Sequence, residues 1–162
     1  MRFRRDRLNE DIEALYGRHY RSYVRVARAI TSDRERAIEA VQEGFANALQ
    51  ARHTFRGEGS LEAWVWRIVV NAARAAARSP LVEGPLNGVS RPETPPPVSE
   101  LAPLIAALPE RQRHAVFLRY YADLDYRSIA TVLEVEVGTV SATLAAAHQA
   151  VRRSLMEVVS HD

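Results

Sequence analysis

The fold is decided by residues 55–78, which read FRGEGSLEAWVWRIVVNAARAAAR. Apolar residues recur here at intervals of three and four, the period of one side of an α-helix. This apolar stripe consists of Leu61, Trp64, Val65, Ile68, Val69, Ala72, Ala75 and Ala76. Ser60 stands at the N-cap position and Pro80 follows the end. The pattern therefore predicts a helix that begins after Ser60 and ends near Arg78.

A second set of side chains lies beside the apolar stripe on the same predicted helix. This basic stripe consists of Arg67, Asn71, Arg74 and Arg78. At ~100° per residue its centre lies roughly 130° from the centre of the apolar stripe. Guanidinium and amide groups hold phosphates and read base edges. The basic stripe thus indicates either a nucleic-acid surface or the ordinary solvated side of a helix.

The loop before this helix, residues 53–59, combines two rings, an arginine and two glycines, with Arg52 just before it. Stacking rings and positive charge suit a strand of unstacked bases. Of the two tryptophans, Trp64 lies on the apolar stripe and is expected in the core. Trp66 lies off that stripe, which is consistent either with a functional surface position or with burial in an interface.

Composition limits the kinds of function. The chain has no cysteine, which excludes disulfides, thiolate metal sites and a cysteine nucleophile. It contains neither an apolar run of membrane-spanning length nor an apolar segment after its basic N-terminus, so we expect a soluble cytoplasmic protein without membrane insertion. All 22 basic residues are arginine. Residues 1–79 have 15 arginines against 10 acidic residues, a net charge of +5, so attraction to nucleic acid resides mainly there.

The rest of the chain predicts an all-α fold of two small domains. Periodicity and caps predict helices at residues 8–30, 34–51, 100–107, 110–121, 126–133 and 138–158. Six of the eight prolines fall within residues 80–100, which favours an irregular linker. The expected domains are therefore residues 1–79 and 99–162, joined by a linker at 80–98. The last two predicted helices have the spacing of a helix-turn-helix unit.

Catalytic signatures are absent from the sequence. It has no phosphate-binding glycine loop, no HExxH and no Ser/His/Asp grouping that spacing would single out. His19 is expected to be packed or half-exposed rather than a metal ligand. We therefore expect a protein that is not an enzyme and that needs no metal and no cofactor.

Two blocks of sequence resemble the sigma-70 family, specifically the small two-domain extracytoplasmic-function (ECF) sigma factors of bacterial RNA polymerase. The segments AIEAVQEGF, residues 37–45, and HTFRGEGSLEAWVWRIVVN, residues 53–71, are similar to region two of the family. The segment LPERQRHAVFLRYYADLDYRSIATVLEVEVGTV, residues 108–140, is similar to region four, which binds the minus-thirty-five element. The resemblance implies a sigma factor that directs promoter recognition and transcription initiation.

The resemblance also implies partners and site residues. The partners would be core RNA polymerase, promoter DNA and an anti-sigma factor. The basic stripe would face the minus-ten DNA, and the loop that receives a flipped base would include Phe55, Arg56, Gly57 and Ser60. Polymerase docking would involve Glu39, Gln42, Glu43 and Phe45. The groove-facing start of the recognition helix would present Thr139, Ser141, Ala142 and Thr143.

Among the departures from the family pattern, two lie in the predicted helix-turn-helix. Glu134 stands in the turn where glycine is usual; if the backbone there needs a positive φ, glutamate costs about 1 kcal/mol. The recognition helix has no arginine before Arg152, and each missing phosphate contact removes about 0.9 from the salt slope of DNA binding. The second departure favours an alternative function: a sigma-like adapter that binds polymerase or a regulator and reads the minus-thirty-five DNA weakly.

Overall fold

Seven α-helices make up the part of the chain that the computed structural model describes, residues 2–80 and 101–161. Their bounds are α1 Arg2–Thr31, α2 Arg34–Ala51, α3 Leu61–Arg78, α4 Leu101–Ala106, α5 Glu110–Tyr120, α6 Tyr126–Leu133 and α7 Val137–Ser160. A 3₁₀ turn, Arg52–Thr54, follows α2. These two ranges contain no strand, and the predicted all-α fold class is confirmed.

Polar side chains fix where several helices begin. The side chains of Asp33, Ser60 and Asp125 each accept a hydrogen bond from the backbone N–H three residues later, at 2.8, 3.0 and 2.7 Å. These residues are the N-caps of α2, α3 and α6. The N-terminal backbone N–H groups of a helix have no partner within it, so each cap satisfies one of them. The bonds from Ser128 also lower the pKa of Asp125.

The N-terminal bundle consists of α1, α2 and α3. A glycine brings α2 and α3 close together, because a Cβ at Gly44 would lie 2.8 Å from the Cα of Val69. Beside this contact, Tyr23 of α1 stacks on Trp66 of α3 with ring centroids 4.0 Å apart, and Phe45 of α2 meets Tyr23 edge-on. Aromatic rings thus fill the space between all three helices. Burial raises the pKa of Tyr23.

The C-terminal bundle consists of α4 to α7, with α6 and α7 forming the expected helix-turn-helix. Its core includes Leu118 of α5, Ile129 of α6 and Leu144 of α7, each at most 1% exposed. No single helix in the described ranges is long and apolar enough to cross a membrane. Helices α6 and α7 reach that apolarity only as a pair, with a 99° bend between them.

The two bundles pack directly against each other. Helix α6 lies against α3, and α5 lies against α1. The buried side chains of both bundles form one continuous cluster. On its surface, the guanidinium of Arg25 in α1 lies over the ring of Tyr121, 5.2 Å from the centroid. The sequence predicted two domains but gave no indication of this contact.

Several details differ from the sequence-based expectations. Helix α1 begins at Arg2 rather than near residue 8 and is kinked at His19, where φ is −119° and ψ 15°. Ala75, assigned to the apolar stripe, is exposed, whereas Trp66, Val70 and Ala73 are buried. The reason is that α3 packs against α6 as well as α1 and α2, so its buried side is broader than one stripe.

The side chain of Tyr120 in α5 is 59% exposed, whereas that of His114 is buried. Helix α5 packs against α1 as well as α6 and α7, which places its buried side differently from the simple apolar pattern. The linker expected at 80–98 lies outside the described residues, except for Pro80.

The turn between α6 and α7 contains a strained glutamate. Glu134 has φ 55° and ψ 47°, the left-handed region that the sequence departure anticipated. The backbone N–H of Val135 donates to the carbonyl of Ala130 at 3.0 Å, which closes the helix end around this residue. A side chain in this conformation is less stable than glycine there.

We expect Glu134→Gly to raise the free energy of unfolding by about 1 kcal/mol, because glycine adopts a positive φ without steric cost. Urea unfolding of the full chain measures this. The matched control is Glu136→Gly, since Glu136 has an extended backbone with φ −73° and gains no relief. Equal effects of the two substitutions would show that Glu134 is not strained.

Candidate nucleic-acid interface

The basic stripe lies along one side of α3. Asn71 and Arg78 are exposed, and Arg67 and Arg74 are half-buried. Among the described residues, no carboxylate lies within 4.0 Å of the three guanidinium groups of the stripe. Their hydrogen-bond donors and charge therefore remain available for an anionic partner such as a phosphate backbone.

The loop before α3 is shaped by two glycines. Gly57 and Gly59 have φ values of 80° and 78°, and a Cβ at either position would meet no atom within 4 Å. Backbone conformation rather than crowding is thus what requires glycine at both positions. Arg56 and Glu58 are exposed beside them. The hydroxyl of Ser60 is already used, because it caps α3.

Phe55 packs on α3 and so fixes where this loop lies relative to the basic stripe. Its half-buried ring packs against Trp64, with centroids 5.5 Å apart. Trp64, Asn71 and Arg78 are spaced by seven residues, so they follow one line along α3. The loop and the exposed members of the basic stripe therefore lie along the same side of the helix, on one surface that a single nucleic-acid strand could follow.

The four residues expected to dock polymerase differ in their exposure. Glu39, Gln42 and Glu43 are exposed on α2. Phe45 is only 5% exposed and meets Tyr16 edge-on at 4.9 Å, so it is a core residue. Phe45 still forms part of a mostly apolar groove between α1 and α2, which is also lined by Ile12, Glu13, Tyr16, Gln42, Ala46 and Leu49.

The four residues expected to face the groove of DNA lie in the first two turns of α7. Ser141 and Ala142 are exposed, whereas Thr139 and Thr143 are half-buried. The buried side of this helix includes Val140, Leu144 and Ala147. The exposed start of α7 is therefore small and uncharged.

The C-terminal bundle carries a second groove, which we call the C-terminal groove. It is predominantly apolar and is lined by Leu101, Ile105, Val116, Tyr120, Tyr121, Ala147, His148, Val151, Arg152 and Leu155. The hydroxyl of Tyr120 lies 2.8 Å from Nε2 of His148 at its rim. Helical periodicity did not predict this groove.

His114 is a buried residue that sequence reasoning missed. It is 2% exposed, and its Nδ1 has no hydrogen-bond partner among the described residues. Its pKa is lowered from 6.5 to about 4, mainly by burial and secondly by the neighbouring charge of Arg74. Its Nε2 lies 3.9 Å from Oε1 of Glu110, whose charge acts in the opposite direction. The charge of Arg74 on α3 therefore acts on a residue of α5.

We expect acid to destabilise the protein through His114. The folded chain holds the ring neutral, whereas in the unfolded chain it gains a proton below pH 6.5. Stability therefore falls as the pH drops from about 6.5 towards 4, by roughly 2 kcal/mol between pH 7 and pH 5 for this residue. Urea unfolding at both values should show a smaller pH difference for His114→Leu. The exposed His53→Leu control should keep the wild-type difference; an unchanged difference in His114→Leu would contradict the assignment.

The described residues offer no metal site, since no three histidine or acidic side chains converge within them. His19, the histidine at the kink of α1, is half-exposed, and its Nε2 lies 3.8 Å from Oε1 of Glu62 on α3. Among the described residues, the arginines and the amide of α3 are thus the polar side chains that lie together on one surface.

Comparison with protein-family models matches both halves of the chain. Residues 15–79 match sigma-70 region 2, and residues 100–151 match sigma-70 region 4. The ECF RNA polymerase sigma-E factor of Escherichia coli (strain K12) is 31% identical over 142 residues, covering 75% of this chain and 74% of the relative. The RNA polymerase sigma-H factor of Pseudomonas aeruginosa is 29% identical over 151 residues, covering 78% and 77%.

Solved structures share the fold. CnrH in complex with the cytosolic domain of CnrY matches with a TM-score of 0.70 and 21% identity, covering 90% of this chain and 88% of that one. The sigma factor RpoE in complex with the anti-sigma factor NepR, from Bartonella quintana, matches with a TM-score of 0.69 and 17% identity, covering 91% and 98%. At these identities the two structures support the arrangement of the helices alone.

Proposed function

Because this chain belongs to the sigma-70 family, among the ECF RNA polymerase sigma factors, we propose that its basic stripe and the loop before α3 read the minus-ten element of a promoter. As a sigma factor, the protein directs promoter recognition and transcription initiation by RNA polymerase. The observation that carries the residue-level proposal is the surface on α3. Its guanidinium groups have no carboxylate partner among the described residues, and together with an exposed amide they follow a loop shaped by two glycines.

Within this surface the residues divide by chemistry. Arg67, Arg74 and Arg78 would hold phosphates, because guanidinium groups pair with phosphate oxygens. Asn71 would contact a base edge, since a side-chain amide offers both a donor and an acceptor. Phosphate contacts position the protein and base contacts give sequence preference. The basic stripe would thus supply both the phosphate contacts and the base contact that promoter recognition requires.

The loop supports capture of a single-stranded base. A protein that opens a duplex without a chemical energy source must bind the unstacked bases as they leave the helix. Arg56 can stack on or pair with such a base, and Gly57 lets the backbone approach it. Phe55 would act indirectly, because its ring packs on Trp64 and so holds the loop in place. Ser60 would contribute by fixing the start of α3.

For polymerase we propose a docking surface on α2. Glu39, Gln42 and Glu43 provide an exposed polar and acidic side, and the groove between α1 and α2 lies next to Gln42. An apolar insertion into the groove, bordered by basic residues of the partner, would match this combination. Phe45 would form the groove wall rather than a free contact.

The C-terminal bundle supports a weaker role in DNA reading. The minus-thirty-five element would meet Ser141 and Ala142, with Thr139 and Thr143 beside them, but none of these side chains carries a charge. This observation favours the second candidate function, an adapter whose C-terminal groove binds polymerase or a regulator. Both solved neighbours were determined with a bound partner, one of them an anti-sigma factor, which supports a regulator of this kind here.

The same proposal assigns a role to each domain and a cellular location to the protein. We assign residues 1–79 to polymerase docking and minus-ten reading, 80–98 to the linker and 99–162 to the helix-turn-helix domain. The protein would act without enzymatic activity and without a cofactor, in the cytoplasm where polymerase and promoter DNA are located.

Arginine at the start of α7 should strengthen binding to the minus-thirty-five DNA. We expect Ser141→Arg with Ala142→Arg to raise promoter affinity of the polymerase complex and to steepen its salt slope by up to about 2, or about 0.9 per phosphate contact. Arginine has good helix propensity, so α7 should stay folded. Competition binding at several salt concentrations measures both. Arginine at two exposed positions far along α7, Met156 and Val159, is the control. Equal slopes in both double variants would contradict a groove-facing position for Ser141 and Ala142.

Reconstituted transcription tests the proposed function. Core polymerase is combined with this protein on a library of promoter sequences, and the transcribed members are sequenced. We expect transcription that depends on the protein and selects a common minus-ten sequence, with weaker selection further upstream. Equal selection by core polymerase alone would reject the function, and strong upstream selection would reject the adapter alternative.

A further inference from the structure

The C-terminal end of α3 is tied to the start of α2 by one arginine side chain. Nη2 of Arg36 donates a hydrogen bond to the backbone carbonyl of Ser79 at 2.7 Å. Arg36 lies in the first turn of α2 and Ser79 is the C-cap of α3, so the bond joins two helices across 43 positions of sequence. Ser79 directly follows Arg78, the last residue of the basic stripe. The hydrogen bond therefore holds the end of the proposed DNA surface.

The position of Arg36 is itself fixed by the turn that precedes α2. Its backbone N–H donates to the side chain of Asp33, the N-cap of α2, at 2.8 Å. The hydroxyl of Thr31, which is 7% exposed, donates to the backbone carbonyl of Asp33 at 2.9 Å. Arg36 is half-buried, and no carboxylate in the described ranges lies within 4.0 Å of its guanidinium group. Its positive charge is thus placed at the end of α3 without an acidic partner to neutralise it.

The last turn of α3 gains from this contact in two ways. The final carbonyl groups of a helix have no partner within it, and helix ends fray for that reason. These carbonyls also carry a partial negative charge, which repels a phosphate placed near the helix end. Pro80, which has no backbone N–H, stops the helix from continuing. The guanidinium group of Arg36 satisfies the carbonyl of Ser79 and brings positive charge to this end.

We propose that Arg36 is a positioning residue for minus-ten recognition, which holds the last turn of α3 so that Arg78 stays against a phosphate of the promoter. The inference rests on the proposed function, because it takes the phosphate contact of Arg78 from there. Arg36 acts through the end of α3 and itself contacts neither DNA nor polymerase. The start of α2 thus belongs to the DNA-reading part of the bundle, whereas Glu39 and Glu43 further along the helix belong to the proposed docking surface.

Amide hydrogen exchange in the free full-length protein tests the contact. Arg36→Ala should speed exchange of the last-turn amides, residues 76–79, by about three- to tenfold, the change expected from the net contribution of one hydrogen bond. Arg36→Lys keeps a positively charged donor and should restore most of the protection. Alanine and lysine are both good helix formers, so α2 stays folded. Arg18→Ala removes an exposed arginine from α1 and is the matched control, which should leave α3 unchanged. Wild-type exchange at residues 76–79 in Arg36→Ala would overturn the inference.

A double-mutant cycle on promoter binding by the polymerase complex tests the role. Arg36→Ala should weaken binding by about three- to tenfold in the wild-type background and by less than about twofold in a chain that already carries Arg78→Ala. The two effects overlap because Arg36 acts through Arg78. Full additivity would show that Arg36 contacts DNA directly, and weaker binding of Arg36→Ala to core polymerase would assign it to the docking surface. Either result overturns the inference.

Failure of the proposed function would give a different pattern. Arg78→Ala would then leave promoter binding of the polymerase complex unchanged. The faster amide exchange caused by Arg36→Ala would remain, since it is measured in the free protein and depends only on the hydrogen bond to Ser79.

Discussion

Replacing Arg74 and Arg78 together by alanine should lower the affinity of the polymerase complex for promoter DNA and reduce its salt slope by about 2. The reason is the loss of two phosphate contacts, each worth about 0.9 in the slope of log K against log salt. The measurement is competition binding over a range of salt concentrations. It uses the assembled polymerase complex, because in the free protein Arg74 also lies beside the C-terminal bundle.

Asn71→Ala should behave differently from the arginine variants. Loss of a base contact changes the preferred sequence at one position by about 1–3 kcal/mol and leaves the salt slope nearly unchanged. Alanine is a good helix former, so circular dichroism should show intact α3 in every variant. If the triple variant of Asn71, Arg74 and Arg78 opened promoters as well as the wild type, the basic stripe would be only a solvated surface.

The second large effect concerns stability. We expect Trp66→Ala to lower the free energy of unfolding by about 3–5 kcal/mol, because removal of a buried tryptophan leaves a cavity. Trp66 is 1% exposed and stacks on Tyr23 of α1, so the cavity would open at the centre of the N-terminal bundle. Small proteins have total stabilities of about 5–15 kcal/mol, and the variant should therefore be close to unfolding at 37 °C. Urea unfolding at 25 °C gives the value.

Trp66→Phe is the control for this prediction. It keeps an aromatic ring against Tyr23 and should lose clearly less stability than Trp66→Ala. A loss below about 1 kcal/mol for Trp66→Ala would be typical of an exposed position. That result would return Trp66 to the functional surface that the sequence left open.

The elements of the fold were predictable because they depend on local patterns. Apolar periodicity located α2, α3 and α6, and Asp33, Ser60 and Asp125 marked where they begin. The burial of Trp66 was not predictable in the same way, since it requires knowing which side of α3 meets α1. Likewise the packing of α6 on α3 joins residues far apart in sequence, and a stripe pattern on one helix contains no signal for it.

Only part of the candidate site was predictable from the sequence. Spacing placed Asn71 and Arg78 on one side of α3, because helical periodicity alone fixes their relative positions. Phe45 is buried in the core, although the family resemblance implied a role in docking. His114 carried no recognisable signal, because a lone histidine in a polar stretch does not by itself indicate burial.

Site-specific photocrosslinking tests the central claim, that the exposed side of α3 reads the minus-ten DNA. The cysteine-free chain allows a photoreactive group to be attached after Ala75→Cys, which is exposed beside the basic stripe, or after Ala46→Cys, which is exposed at the groove of α2. In the assembled promoter complex we predict crosslinks from position 75 to bases of the minus-ten element and from position 46 to a polymerase subunit. Crosslinks from position 75 to polymerase alone, with none to DNA, would contradict the account.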